Sequence, residues 1–237
     1  MKKYIKWMGI VIGGLISLIL LTSFVLYSIG KKKLTRSYSN IGIESVRIPT
    51  DADAILRGKH ISVIWACTKC HGEDLSGKLF REDPIGETIE TFGAIPASNL
   101  TSGIGGIGKF YTDIDWIRAI RHGIRPNNKP EIFMNVTAIS DQDLGDLIAY
   151  LRQIPPIDRD LSSIKYGPII PIASALGIFP PVAGLIDHSS LHPTEPAPGA
   201  TIEYGRYLSA ICSECHGPVM LRMQKNIWRH YVHLVHR

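Results

Sequence analysis

Cys67-Thr68-Lys69-Cys70-His71 is matched 145 residues later by Cys212-Ser213-Glu214-Cys215-His216, and the two stretches hold all four cysteines of the 237-residue chain. Each has the same approach. Gly58-Lys59-His60-Ile61-Ser62 precedes the first and Gly205-Arg206-Tyr207-Leu208-Ser209 the second, with a two-residue difference in spacing. Self-similarity at this distance reads as two related units. The second is expected to be truncated, because 21 residues follow His216.

Three chemistries use paired cysteines. A zinc site built from both pairs would join residues far apart in the chain and give the trailing histidines no task. A redox dithiol of the thioredoxin kind needs a βαβ setting, for which the chain shows no pattern. The third is covalent haem attachment, where C-x-x-C on a helical turn presents two thiols to the haem vinyl groups and the adjacent histidine turns its imidazole to the iron. It alone uses the histidine. Cys67, Cys70, His71, Cys212, Cys215 and His216 are therefore the candidate haem residues.

Around the first stretch the pattern is helical. Thr50-Asp51-Ala52-Asp53, Thr112-Asp113-Ile114-Asp115 and Ser140-Asp141-Gln142-Asp143 each offer a hydroxyl N-cap with acids in the first turn. The third start leads into Leu144, Leu147, Ile148, Leu151 and Ile154 at helical spacing, closed by Pro155-Pro156. The second carries Trp116, Ile117 and Ile120 and stops at Gly123, a C-cap candidate. The first runs to Trp65 and delivers the chain to Cys67. GAIPASNLTSGIGGIG, residues 93–108, reads as loop. This predicts a small all-α domain with long loops.

Trp7 to Ile29 contains no charged residue. As a helix it is roughly 34 Å long, enough to cross a bilayer, and it exceeds the apolar region of a usual signal peptide. It is read as a retained single-pass anchor. Lys2, Lys3 and Lys6 on one side balance Lys31, Lys32, Lys33 and Arg36 on the other, so charge does not orient it. The formal net charge of +5 arises largely from these flanks and a basic stretch at 222–237. Lysines beside a span meet lipid headgroups, and no nucleic-acid motif is present. PIIPIASALGIFPPVAGLI, residues 168–186, is apolar but broken by prolines, and reads as a linker that packs some of its side chains.

CTKCH followed by SNLTSGIGGIGKFYTDIDWIRAIRHGIRPNN, then Met134, then SDQDLGDLIAYLRQIPP resembles a class I cytochrome c domain from about Asp51 to Pro156. The whole layout is similar to the membrane-anchored multi-haem cytochrome c subunits of bacterial alcohol and gluconate-type dehydrogenase complexes. It differs from them in having two haem motifs. The resemblance implies an anchor with basic flanks at 1–36, a linker at 37–49, a first cytochrome domain at 50–157, a proline-rich linker at 158–200 and an incomplete second domain at 201–237.

The resemblance further implies Met134 as the sixth ligand of the first iron, opposite His71. It makes Pro84 the carbonyl that receives the His71 N–H, and it packs Gly58 of the first helix against Tyr150 of the last. His122 is the rival ligand, read as a surface or dipole-interacting residue at a helix end, and His60 is read as structural. For the second haem, Met220 and Met223 follow His216 too closely to reach the opposite face, while His230, His233 and His236 lie in the basic stretch. His216 is expected as proximal ligand, with its sixth position open, weakly ligated or filled by another chain.

Covalent haem attachment takes place outside the cytoplasm, which puts the haem domains on the periplasmic or extracellular side. The expected function is single-electron transfer, not catalysis, between a dehydrogenase or quinol-oxidising partner and a downstream cytochrome or oxidase. The alternative is a dihaem peroxidase-like enzyme or a haem sensor that uses an open second haem.

Overall fold

Residues 2–79, 92–134, 136, 138–161, 163–189, 194 and 196–212 are described by a computed structural model of the chain. Helix α1, Lys2–Thr35, is among them the one helix long and apolar enough to cross a membrane, and most of its apolar side chains are exposed. Its C-terminal end is not free. Gly30 lies so close to Pro171 that a Cβ would overlap the Pro171 carbonyl, and Leu34 is buried with Ile132 and Ile170. The partner is α6, Ile169–Ala175, whose last carbonyls, Ser174 and Ala175, accept from Lys33 Nζ at 3.3 and 3.2 Å. A cation at a helix C-terminus meets both the unpaired carbonyls and the dipole. The proline-broken segment thus packs its apolar side chains against the end of α1.

The domain core is made by α2, Ala52–Ile64, α4, Asp113–His122, and α5, Asp141–Leu151. Their starts are fixed by side chains. Thr112 and Asp115 form a capping box, and Ser140 Oγ accepts from the Asp143 N–H at 3.0 Å. The first helix differs from expectation by one residue: Asp51, not Thr50, is the cap, with Oδ1 accepting from the Ala54 N–H at 2.9 Å. A carboxylate one residue closer to the helix reaches the free N–H groups and the positive end of the dipole together. Helix α4 ends at Gly123, which takes the left-handed conformation at φ 60°.

The apolar stripes meet in one cluster that includes Ile61, Trp65, Leu75, Trp116, Ile117, Ile120, Leu144, Leu147, Ile148 and Leu151. Arg121 is buried beneath it, where Nη2 donates to the Ile139 carbonyl at 3.0 Å and pairs with Asp141 Oδ1 at 2.7 Å, tying the end of α4 to the start of α5. The strands are two-residue ladders. β1, Lys78–Leu79, pairs antiparallel with β3, Pro96–Ala97, and β2, Gly93–Ala94, with β4, Lys165–Tyr166. The fold is mostly helical, as expected.

Helix α7, Ile202–Leu208, precedes the second cysteine stretch and does not stand apart. Tyr207 is buried in the cluster just described, and Tyr204, Leu208, Ala210 and Ile211 pack against it.

Candidate haem site

Trp65 caps α2, and Ala66 then takes a left-handed conformation at φ 56°, which turns the chain sharply into α3, Cys67–His71. Such a backbone is uncommon for a residue with a side chain. It is held by neighbouring bonds: the Trp65 N–H donates to Ile61 O at 2.9 Å and the Lys69 N–H to Ala66 O at 3.0 Å. On the single turn that follows, Cys67 is buried and Cys70 exposed, while His71 has Nδ1 2.7 Å from the Ser98 carbonyl.

A carbonyl only accepts, so Nδ1 of His71 carries the proton and Nε2 is left as a lone-pair donor. Burial holds the His71 imidazole below its usual range, against the opposing effect of the Ser98 bond. The ring is therefore neutral at pH 7, the form that binds a metal. Burial also pushes the Cys67 thiol up to about 12 and raises that of Cys70. These are not the low-pKa thiols of a redox dithiol.

The acceptor for His71 departs from expectation. Pro84 lies outside the described residues, and Ser98 supplies the carbonyl. The loop that carries it is fixed by Asn99, which is buried. Its Nδ2 donates to Ile157 O at 2.8 Å and Arg159 O at 3.3 Å, and its Oδ1 accepts from the Thr101 N–H at 2.9 Å. The Leu100 N–H donates back to Leu75 O at 2.9 Å, close behind the cysteine turn. A partner of this kind sets ring orientation and tautomer.

Met134 stands in the segment between α4 and α5, half-buried against the same apolar cluster that includes Cys67. His122 is corrected from a surface residue to a buried one. Its Nδ1 lies 2.9 Å from Nδ1 of His188, the rings stack at 5.2 Å, and His188 Nε2 donates to Ala183 O at 2.9 Å. His60 is exposed on α2. Of the second stretch, Cys212 is described and exposed, whereas Cys215, His216, Met220, Met223, His230, His233 and His236 lie outside the described residues.

Two buried donors bear on what the site holds. The indole N–H groups of Trp65 and Trp116 are buried with no acceptor among the described residues. An unpaired buried N–H is costly. A haem carries two carboxylates, which are acceptors of the required kind, and its macrocycle suits walls of Ile, Leu and Trp. The residues fit haem, with Cys67 and Cys70 as thioether anchors and His71 Nε2 as the iron ligand.

Sequence reasoning missed Ser98, Tyr207 and His188. Ser98 acts through a backbone carbonyl, which any residue carries, and Tyr207 acts through tertiary contact.

Residues 55–155 match the Cytochrome c family. A protein of Cereibacter sphaeroides named as a diheme cytochrome c-type is 32% identical over 183 residues, which covers 68% of this chain and 56% of that relative. The chain thus spans little more than half the relative's length. The helix order, the His71 geometry, the haem-compatible donors and this family match lead to one assignment: residues 55–155 are a class I cytochrome c domain.

Proposed function

We propose that the chain is a membrane-tethered electron carrier that takes single electrons from a dehydrogenase or quinol-oxidising partner and passes them to a downstream cytochrome or oxidase. The observation that carries this reading is the ligand-ready His71, with Met134 packed against the apolar cluster that includes Cys67. A haem ligated by His and Met has no vacant position for substrate, and supplies a one-electron couple tuned by its ligands and by burial. The chain's own residues do the tuning. Ser98 holds the His71 proton, the Ile and Leu walls exclude water, and a thioether ligand favours reduced iron, which raises the potential.

In this reading α1 spans the membrane and the haem domain sits outside the cytoplasm, where haem is attached. The grip of α6 on the end of α1, reinforced by Lys129 Nζ donating to Thr35 O at 2.6 Å, supports a domain held close to the lipid surface. A second haem at Cys212, Cys215 and His216 is part of the proposal, supported by the repeated motif and by the dihaem relative.

Mass spectrometry of the intact protein extracted from membranes tests both parts. The expected mass is that of the chain with two covalent haems and the anchor retained. Strong binding of carbon monoxide by the Cys67 haem in the native reduced protein would overturn the carrier reading, because it requires an open iron position.

A further inference from the structure

We infer that residues 169–178 are a second membrane-contact element, seated in the lipid interface beside α1, which holds the haem domain at one height and tilt over the bilayer. This rests on the reading that α1 spans the membrane.

Depth along α1 places the element. The uncharged run ends at Ile29, and Lys31, Lys32 and Lys33 follow. Such a change from apolar to basic marks the edge of the hydrocarbon. Gly30 lies between the two, and it is the residue against which Pro171 of α6 is packed. With α1 across the bilayer, Gly30 is about 1.5 Å past the last apolar residue, while the headgroup zone is roughly 5–8 Å thick on each side. Leu26 and Tyr27, one turn deeper, are half-buried, whereas residues 2–22 are exposed. The cover on α1 therefore reaches from the headgroups down to the first acyl carbons.

What α6 presents at that depth is apolar. Ile170, Pro171, Ala173 and Ser174 are buried, and Ile169, Ile172 and Leu176, spaced by three and four, form the other face. Ile169 is 38% exposed, Leu176 57%, and Ile178, just past the helix, 45%. From Tyr166 to Ile186 the chain carries no charged residue. Seven helical residues, about 10 Å, are too few to cross a bilayer, and a short apolar helix flanked by cations suits the interface instead. Lys31, Lys32 and Arg36 are exposed at the level of anionic headgroups. On its other side the element is fixed to the haem domain. β4 pairs with β2, the Val182 N–H donates to Glu131 O at 2.9 Å, and Phe179 stands edge-on to Phe133, the residue before Met134, with centroids 5.6 Å apart. The seat is thus tied to the anchor and to the domain at once.

The test uses the full haem-loaded chain in vesicles of phosphatidylcholine and phosphatidylglycerol, with a benzophenone amino acid placed singly at Ile19, Val63, Leu176 or Ile178. All four side chains are exposed, so the fold tolerates the replacement, and the haem spectrum checks it. Photolysis followed by mass spectrometry identifies what each position touches. Ile19, in the middle of α1, reports the anchor alone, and the absence of a lipid adduct there overturns the spanning reading and this inference with it. Given that adduct, Leu176 and Ile178 are expected to form lipid adducts and Val63, on α2, none. Leu176 and Ile178 free of lipid, or joined to a second copy of the chain, would overturn the seat and leave the anchor standing. Equal lipid adducts at Val63 and Leu176 would overturn it too, because the domain would then touch lipid without a fixed side. Linear dichroism of the haem band on oriented bilayers reads the tilt. The unaltered protein is expected to be dichroic, and the variant carrying both Leu176→Glu and Ile178→Glu to lose most of that signal. Equal dichroism in the two would remove the held tilt.

Discussion

Gly58 of α2 and Tyr150 of α5 mark the point where the first and last helices of the domain cross, with a Cβ at Gly58 falling 2.8 Å from Tyr150 Cβ and overlapping the Asp146 carbonyl. Glycine inside a helix costs about 1 kcal/mol relative to alanine. The crossing outweighs that penalty by letting the two backbones touch. Beside it Arg57 Nε donates to the buried Asp146 carboxylate at 2.7 Å.

Gly58→Ala is therefore expected to destabilise the domain, although alanine is the better helix former. Forced overpacking costs about 1–3 kcal/mol after the backbones adjust. Urea unfolding followed by haem absorbance measures it, and an unchanged or higher midpoint would show that the helices do not meet as closely as the structure places them.

Met134→Leu is expected to lower the reduction potential and let the reduced Cys67 haem bind carbon monoxide. It removes the thioether while keeping volume against the apolar cluster. Met134→His is expected to give a low potential with little carbon monoxide binding, since imidazole fills the position. Potentiometry with carbon monoxide difference spectra checks both variants, and spectra like those of the unaltered protein would transfer the sixth-ligand role to another residue.

The Asp51 carboxylate is held below its usual range first by the Ala54 N–H bond. Its folded value lies below its unfolded one, so the unfolded chain binds more protons between the two. The stabilisation is complete above the ordinary value of 3.8 and is lost as pH falls through the folded value. Asp51→Asn keeps a capping oxygen without the charge. Unfolding midpoints at about pH 6 and about pH 3 should show the gap between unaltered protein and variant narrowing in acid. A gap that widens in acid would contradict the assignment.

The helices and the cysteine turn were legible because their signals are local. Thr112 and Ser140 cap through side chains three residues from their targets, and Trp116, Ile117 and Ile120 lie on one stripe. Gly58 and Tyr150 were legible only through the family resemblance, because nothing local says which helix a glycine faces. What stayed hidden depends on contacts across the chain. His122 reads as a polar helix end, and only the return of residues 182–188 buries it beside His188. Asp51 displaced Thr50 as cap because both suit that role and backbone geometry decides between them. The carbonyl on His71 was hidden for a different reason: side-chain identity does not encode which backbone oxygen a loop presents.

That carbonyl leads to the last expectation. Ser98 cannot be altered by mutation at its oxygen, but Asn99 holds it in place through bonds to Ile157 O, Arg159 O and the Thr101 N–H. Asn99→Ala leaves the Thr101 N–H without its acceptor and frees the loop. Loss of buried partners costs about 1–3 kcal/mol, measured as a lower unfolding midpoint. A looser loop also weakens the Ser98 bond to His71 Nδ1. Because that bond makes the imidazole a better electron donor and so favours ferric iron, weakening it moves the reduction potential upward. Asn99→Asp perturbs the same loop by a different route. It keeps an acceptor for Thr101 but sets a carboxylate against two carbonyls, so it should destabilise as much or more and shift the potential in the same direction. A lower midpoint with the potential unchanged in both variants would confine Asn99 to stability and remove Ser98 from the tuning of His71.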